Sequence, residues 1–269
     1  MRQFSPEYLR RTRQGLWDGS REALGPLSLA DRKRILDAGA GTGELARVLD
    51  AESPGQVVCL DADPDLLSVA AEETGLDVVV GDATRPPVPA NTFDLVVCQA
   101  LLVNLPDPVA ALRAFRECST DLVAAIEPDN SDVGVDSTVA AEVTLEQRVR
   151  EAYIAGVETD VALGDQLPSL FREAGLTPVA TRRHYHRKVI EPPYDEESMA
   201  AAARKARGDA LAEHETELRR SLSPDEFDVL RDEWREMGRA VVEAMREGTY
   251  RRAEVVPFDV VVGRVDDGA

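Results

Sequence analysis

Lysine is nearly absent from this chain. Three residues, Lys33, Lys188 and Lys205, occur in 269, so arginine supplies almost all of the 31 basic side chains set against 50 acidic ones. The net charge of −19 is spread along the whole sequence. That pattern suits a high-salt cytoplasm, where screening removes self-repulsion, better than an acidic face kept for a cationic partner. On this reading the melting temperature should climb from dilute buffer to molar salt; a flat series would refute it. The shortage of basic clusters argues against a nucleic-acid partner. Cysteine is equally scarce: Cys59, Cys98 and Cys118 fit neither a zinc site nor a redox pair, and no metal is expected. No apolar run is long enough to span a bilayer. The first residues, MRQFSPEYLRRTRQ, alternate charge with aromatics and lack a signal-peptide core, so the expected compartment is the cytoplasm. Monomer and homodimer are both compatible with the composition.

What is present is an alternation of apolar runs and amphipathic stretches. Strands are expected at 34–38, 56–61, 77–80, 93–98 and 121–127, with helices at 43–50, 64–74 and 108–118 between them. Such alternation means βαβ units and a mostly parallel, doubly wound sheet, whose ligands bind at the carboxyl ends of the strands. Further on, 137–158 and 164–176 read as helices, and TPVATRRHYHRKVI and EVVPFDVVVGRV read as the last strands. Between those strands lies a helical insert. SPDE at 223–226 has a serine cap, a first-turn proline and a glutamate at the third position. Phe227, Leu230, Trp234, Met237, Val241 and Ala244 then follow at spacings of three and four, a seam for one partner helix. Met199, Ala203, Ala206, Ala210, Leu218 and Leu222 are expected to face it, and Gly248 to end the pair. The organisation expected is an N-terminal helical cap (1–30), a Rossmann-like domain (31–192 and 250–266) and an inserted hairpin acting as a substrate lid (193–249).

The densest signal is RILDAGAGTGELARVL, residues 34–49. A strand, a glycine turn and a helix start let backbone approach a ligand closely. Dinucleotides and S-adenosylmethionine both use such a turn. The dinucleotide fingerprint needs glycines in the pattern G-x-G-x-x-G. Here Gly39, Gly41 and Gly43 alternate, and the position after Gly43 is Glu44, which would repel a pyrophosphate. A ligand with an amino-acid end and a sulfonium fits better: Asp37 stands at the entrance as a carboxylate facing a cation. The second strand ends VVCLDAD, placing Asp61 where it can accept both ribose hydroxyls. The third ends VVVGDAT, where Asp82 can accept an adenine amino group while the Ala83 amide reaches a ring nitrogen. Any one of these acids alone reads as a helix cap; three in register with the glycine loop point to a nucleoside.

Through the segments LDAGAGTG, LDADPDLL, GDATRPPVPANTFDLVV, LPDP and GDQLPSLFREAGL, the chain resembles the class I S-adenosylmethionine-dependent methyltransferases. It is most similar to the small-molecule branch typified by ubiquinone and menaquinone biosynthesis methyltransferases, with a haloarchaeal-type composition. The resemblance covers about residues 34–176 and the final strand. It implies the seven-stranded class I fold, S-adenosylmethionine as cofactor and S-adenosylhomocysteine as product. It implies that Gly39, Ala40, Gly41 and Gly43 wrap the methionyl end near Asp37. Asp61 and Ala62 would hold the ribose, Asp82 and Ala83 the adenine, and Gln99 would line the methionyl end. Tyr8 and Arg13 are candidates from a closing N-terminal helix, Arg13 for the cofactor carboxylate; a solvated amphipathic helix is the alternative. Where many relatives carry two histidines before LPDP, this chain has Val103 and Asn104, which weakens any transfer of a quinone-type substrate.

Methyl transfer needs alignment first, and a base only where the acceptor must lose a proton. Glu127, Tyr153 and His214 are the candidates, each with an equally good structural reading. In RRHYHRK the alternation puts Arg182, His184, His186 and Lys188 on one strand face, either an anion or RNA contact or a charged edge that discourages aggregation. The function expected is methylation of a small molecule. Methylation of RNA or protein, and a cofactor-binding regulatory module without transfer, are the alternatives.

Overall fold

The computed structural model describes residues 5–13 and 15–265. In chain order its elements are α1 (Pro6–Arg13), β1 (Arg34–Ala38), α2 (Glu44–Glu52), β2 (Gln56–Asp61), α3 (Pro64–Thr74) and β3 (Asp77–Val80). Then come β4 (Phe93–Gln99), α4 (Pro108–Cys118), β5 (Ser119–Pro128), β6 (Gly134–Ser137), α5 (Ala140–Gly156) and α6 (Leu167–Glu173). The chain ends with β7 (Leu176–Ile190), α7 (Glu196–Arg207), α8 (Asp209–Ala212), α9 (Glu215–Ser221), α10 (Pro224–Arg246) and β8 (Arg252–Val265). It divides into two compact units. The first comprises Met1–Pro128, Leu163–His184 and Phe258–Ala269; the second comprises Asp129–Ala162 and Tyr185–Pro257.

In the first unit β1 to β5 are parallel, in the order β3-β2-β1-β4-β5. β8 joins antiparallel to β5, with Ile126 opposite Val260, and β7 pairs with β8. These seven strands form the expected doubly wound sheet, to which β6 adds an eighth. β1, β4 and β5 are buried along nearly their whole length, which is why they read as unbroken apolar runs. Helix starts are set by side chains. Asp63 accepts from the Asp65 and Leu66 amides ahead of Pro64, and Asp107 accepts from Ala110 ahead of Pro108. Leu36, Val96, Phe115, Leu167 and Phe171 belong to one core below the sheet's ligand edge.

The second unit is larger than the expected insert of 193–249. It takes in α5 and the short strand β6, which pairs with β8 through Val135 and Glu254. β6 escaped the sequence reading because four residues with one half-buried face carry too little pattern. α10 has the capping box at Ser223 and Glu226, and buries Phe227, Leu230, Trp234, Met237 and Val241 as expected. The facing residues need correction. Met199 is 51% exposed; Leu218 is buried as expected and Ala210 and Leu222 pack against the same core, while Ala202 and Leu211 are the buried positions not expected. An alanine-rich helix gives little phase information, and the phase is set by a glycine on α10, Gly238, against which the α7 backbone lies.

Candidate functional site

The turn after β1 holds three left-handed glycines, with φ of 74° at Gly39, 56° at Gly41 and 83° at Gly43. Side chains here would be strained, and two would also collide. A Cβ at Gly39 would come within 2.8 Å of the Leu101 side chain, and one at Gly41 within 2.9 Å of Leu9. The Gly39 and Ala40 amides donate to the Leu60 carbonyl at 2.7 and 3.0 Å. The Gly41 amide donates to Asp61 Oδ2 at 2.9 Å, while Asp61 Oδ1 accepts from the Asp63 amide at 3.0 Å. One carboxylate therefore ties the glycine loop to the turn that starts α3.

Above this turn is a cavity of about 430 Å³, within the range of small-ligand pockets. Gly39, Gly41, Asp61, Ala62 and Ala83 line it, and so does Arg13. Asp82 is exposed and does not line it. Its Oδ1 accepts from the Thr84 amide and hydroxyl, both at 2.8 Å, and these bonds hold its carboxyl below the usual carboxylate range. Tyr8 is half-buried on α1 and outside the lining, whereas Leu9, one residue on, is part of it. Gln99 is turned away: it accepts from Trp17 Nε1 at 2.9 Å and faces a neighbouring cavity of about 290 Å³ that Arg13 also lines.

Asp37 is 1% exposed, and its Oδ2 has no hydrogen-bond partner; the hydroxyl of Thr42, on the glycine turn, has none either. Burial pushes the Asp37 carboxyl up to about 7, Asp61 pushes the same way, and Arg13 opposes. Arg13 in turn is desolvated, which lowers its guanidinium's affinity for its proton, while Asp37, Glu127 and Asp61 hold the charge in place. Asp37 and Thr42 are outside the cavity lining, but two buried polar atoms without partners beside the glycine turn suit the donors and charge of an amino-acid ligand end. The residues present fit the cofactor implied by the sequence.

The loop after β4 supplies parts of the wall that the sequence reading missed, namely Ala100, Leu101 and Asn104. Ala100 sits at φ 49°, a left-handed conformation costly for a residue with a Cβ. Its amide donates to Ile126 O at 2.8 Å, and Asn104 Nδ2 donates to its carbonyl at 2.8 Å. Glu127 holds the next three residues. Its Oε1 accepts from the Leu101 and Leu102 amides at 3.1 and 3.0 Å, and its Oε2 from Val103 at 3.2 Å. Glu127 is 0% exposed, and burial lifts its carboxyl to about 7 against the pull of those amides. It shapes the loop and lies outside the cavity lining. Tyr153 and His214 meet in the second unit, with ring centroids 4.9 Å apart. The three candidate bases are thus divided between the two units. Among the described residues no group of three or more His, Cys, Asp or Glu is placed to hold a metal, and no helix is long and apolar enough to cross a membrane.

Residues 36–120 match the protein family described as methyltransferase domain. A 2-methyl-6-phytyl-1,4-hydroquinone methyltransferase from Oryza sativa subsp. japonica is 35% identical over 101 residues, 35% of this chain and 29% of that protein. A demethylmenaquinone methyltransferase from Lactiplantibacillus plantarum is 32% identical over 101 residues, 34% of this chain and 43% of that protein. The match thus spans less than half the length of either relative. Among solved structures, an S-adenosylmethionine-dependent methyltransferase from Thermotoga maritima aligns over 97% of this chain and 94% of its own, with TM-score 0.52 and 14% identity, a likeness of fold. A fold of this kind hosts many chemistries. The family match falls on the very residues that build the glycine turn, its gripping carboxylate and the wall beyond, and in these residues the chain is similar to the class I S-adenosylmethionine-dependent methyltransferases.

Proposed function

We propose that the protein transfers a methyl group from S-adenosylmethionine to a small-molecule acceptor. The observation that carries the cofactor half is the buried, unpartnered Asp37 Oδ2 beside the glycine turn that Asp61 grips. Support for a small acceptor comes from the two hydroquinone and menaquinone relatives and from the scarcity of basic surface. The helical segment 193–249 as a substrate lid is part of the same proposal.

S-adenosylmethionine supplies a methyl carbon activated by a sulfonium, so an acceptor lone pair forms the new bond as the S–C bond breaks to a neutral thioether. The chain's task is then alignment and a matched field. Asp37 offers its free oxygen to the cationic amine, and Thr42 offers a hydroxyl. Asp61 retains lone pairs for ribose hydroxyls beyond its two backbone amides. Ala83 and Leu101 would give the base an apolar berth, and Arg13, which lines the cavity and balances three acids, would meet the cofactor carboxylate. Tyr153 and His214 stay as candidate bases for acceptors that must lose a proton.

Calorimetric titration with S-adenosylmethionine, S-adenosylhomocysteine and NAD tests this. Saturable binding of the two sulfur nucleosides is expected, and NAD binding, or none at all, would overturn it. Binding without turnover on any small acceptor would favour the regulatory-module alternative. Asp37→Asn sharpens the result. The Asp37 carboxyl is raised from an ordinary 3.8 to about 7, so its contribution to stability is present below about pH 4 and is lost as pH rises through 7. The variant should therefore melt higher than wild type near about pH 8, by at most about 4 kcal/mol of added stability, and differ little near about pH 4. It should also bind S-adenosylhomocysteine more weakly, because the ionised partner of the amine is gone.

A further inference from the structure

His184 takes no part in the cofactor site, yet the fold joins it to the segment that covers that site. Its Nε2 lies 2.9 Å from the carbonyl of Leu16. A carbonyl only accepts, so His184 donates through Nε2. Its ring packs on Trp17, with centroids 4.8 Å apart and planes tilted by 31°. Trp17 Nε1 donates to Gln99 at the end of β4 at 2.9 Å. Leu16 and Trp17 are 3% and 4% exposed, so the segment just past α1 is anchored between the end of β4 and the middle of β7. The neighbour of His184, Arg183, makes a two-pronged ion pair with Asp259 on β8, at 2.9 and 2.7 Å, which fixes β7 at this point. Four residues before Trp17 stands Arg13, and four before that Leu9, the two α1 residues that line the cofactor cavity.

We infer that His184 and Trp17 are positioning residues, a latch that holds Leu9 and Arg13 over the glycine turn and so sets affinity for the cofactor without touching it. α1 has only two turns, too short to be stable by itself in water, and its placement depends on what fixes its ends. A buried tryptophan bonded at its nitrogen and stacked on a histidine supplies that fixture from one side. Histidine suits the place because a planar ring can stack on Trp17 while its edge donates to Leu16. Along this part of β7, His184 is half-buried and His186 buried, while Arg182, Tyr185 and Arg187 are exposed.

The inference rests on the proposed cofactor site, so its test has one arm that needs no ligand. Trypsin digestion of the apo protein should cut after Arg10 or Arg13 at least about tenfold faster in His184→Ala than in wild type, with the melting temperature held within a few degrees. His184→Gln, which keeps a donor, should recover part of the protection. In calorimetry His184→Ala should bind S-adenosylhomocysteine about tenfold more weakly, and Trp17→Phe, which keeps a ring but loses the bond to Gln99, less so. Added S-adenosylhomocysteine should restore trypsin resistance in the alanine variant. If cleavage and affinity both stay within twofold of wild type, the latch is wrong. If His184→Ala unfolds outright, the glutamine variant decides on the same readouts, and equal cleavage of glutamine variant and wild type with a lower melting point would reduce His184 to a packing residue. Failure of wild type itself to bind any sulfur nucleoside would sink the cofactor reading, while the proteolysis arm still judges the latch.

Discussion

With Asp61 replaced by alanine, S-adenosylhomocysteine should bind at least about a hundredfold more weakly, while the melting temperature falls by only a few degrees. The two effects differ because the carboxylate's structural partners can be replaced and its proposed ligand partners cannot. Asp61 is half-buried at the cavity wall, and its bonds to the Gly41 and Asp63 amides cost about 1 kcal/mol each when water takes its place. A ligand's two ribose hydroxyls lose charge-assisted bonds of about 1.5–3 kcal/mol each, in a cavity where no other described acid has a carboxylate tied to the glycine turn. Two such bonds amount to between two and four decades of affinity. The lower figure is the expectation, because removing Asp61 also removes a negative neighbour that pushes the Asp37 carboxyl up, and so frees Asp37 to ionise for the amine. Asp61→Asn keeps one carbonyl acceptor and should fall between wild type and alanine. Titration calorimetry at matched salt reads all three, and an alanine variant within threefold of wild type would break the link between the glycine turn and a nucleoside ligand.

The parts of this site legible in the sequence are those where one residue type answers one backbone demand. The alternating glycines state that the chain turns left-handed three times and has no room for side chains, and Asp61 follows where the next strand of such a sheet must end. The expected bounds of β1, β2, β3, α3 and α4 match the structure because an apolar run or a proline-preceded cap marks each end. The loop after β4 was not legible. Ala100 is a residue that ordinarily avoids positive φ, and it is held there by Glu127, 27 positions away, and by Asn104. No local pattern announces a carboxylate whose partners are three amides of a distant turn. Asp82 is an acid at a strand end that its own turn satisfies, two residues on, through Thr84. The histidine of RRHYHRK was visible as an oddity, but its partner lies 168 positions away, and only the sheet order brings the two together.

Gly238→Ala should destabilise the second unit by about 3 kcal/mol or more, a large effect for the addition of one methyl group on a helix. A Cβ there would stand 2.3 Å from the Ala206 amide nitrogen and 2.4 Å from the Lys205 carbonyl carbon. Ordinary contact begins near 3.4 Å, so α7 would have to retreat by about an ångström, and because the obstacles are backbone no side chain can turn aside. The retreat would move Lys205, whose ammonium bonds Glu146 at 2.6 Å and also meets Glu142. Glu142 is 0% exposed and takes the Tyr250 hydroxyl at 2.9 Å and that of Ser137 at 2.6 Å. Arg252 closes the cluster on Glu146 at 2.6 Å. Pulling the ammonium away leaves buried carboxylates short of a cation, a change worth about 3–5 kcal/mol in other folds, on top of the overpacking. The acid side of the stability profile gives an independent check. Burial alone would raise the Glu146 carboxyl, but Lys205 and Arg252 outweigh it and hold it below its ordinary 4.5. Its stabilisation is therefore present above about pH 4.5 and lost as pH falls below that. In Gly238→Ala this loss on acidification should shrink, because the ion pair behind it is already weakened. Gly248→Ala is the control: its φ is positive, 71°, unlike that of Gly238, but nothing lies within 4 Å of its Cβ, so about 1 kcal/mol is expected. Urea unfolding followed by far-ultraviolet circular dichroism reads both variants, and equal midpoints for the two would show that the α7–α10 crossing is not what keeps Lys205 on its acids.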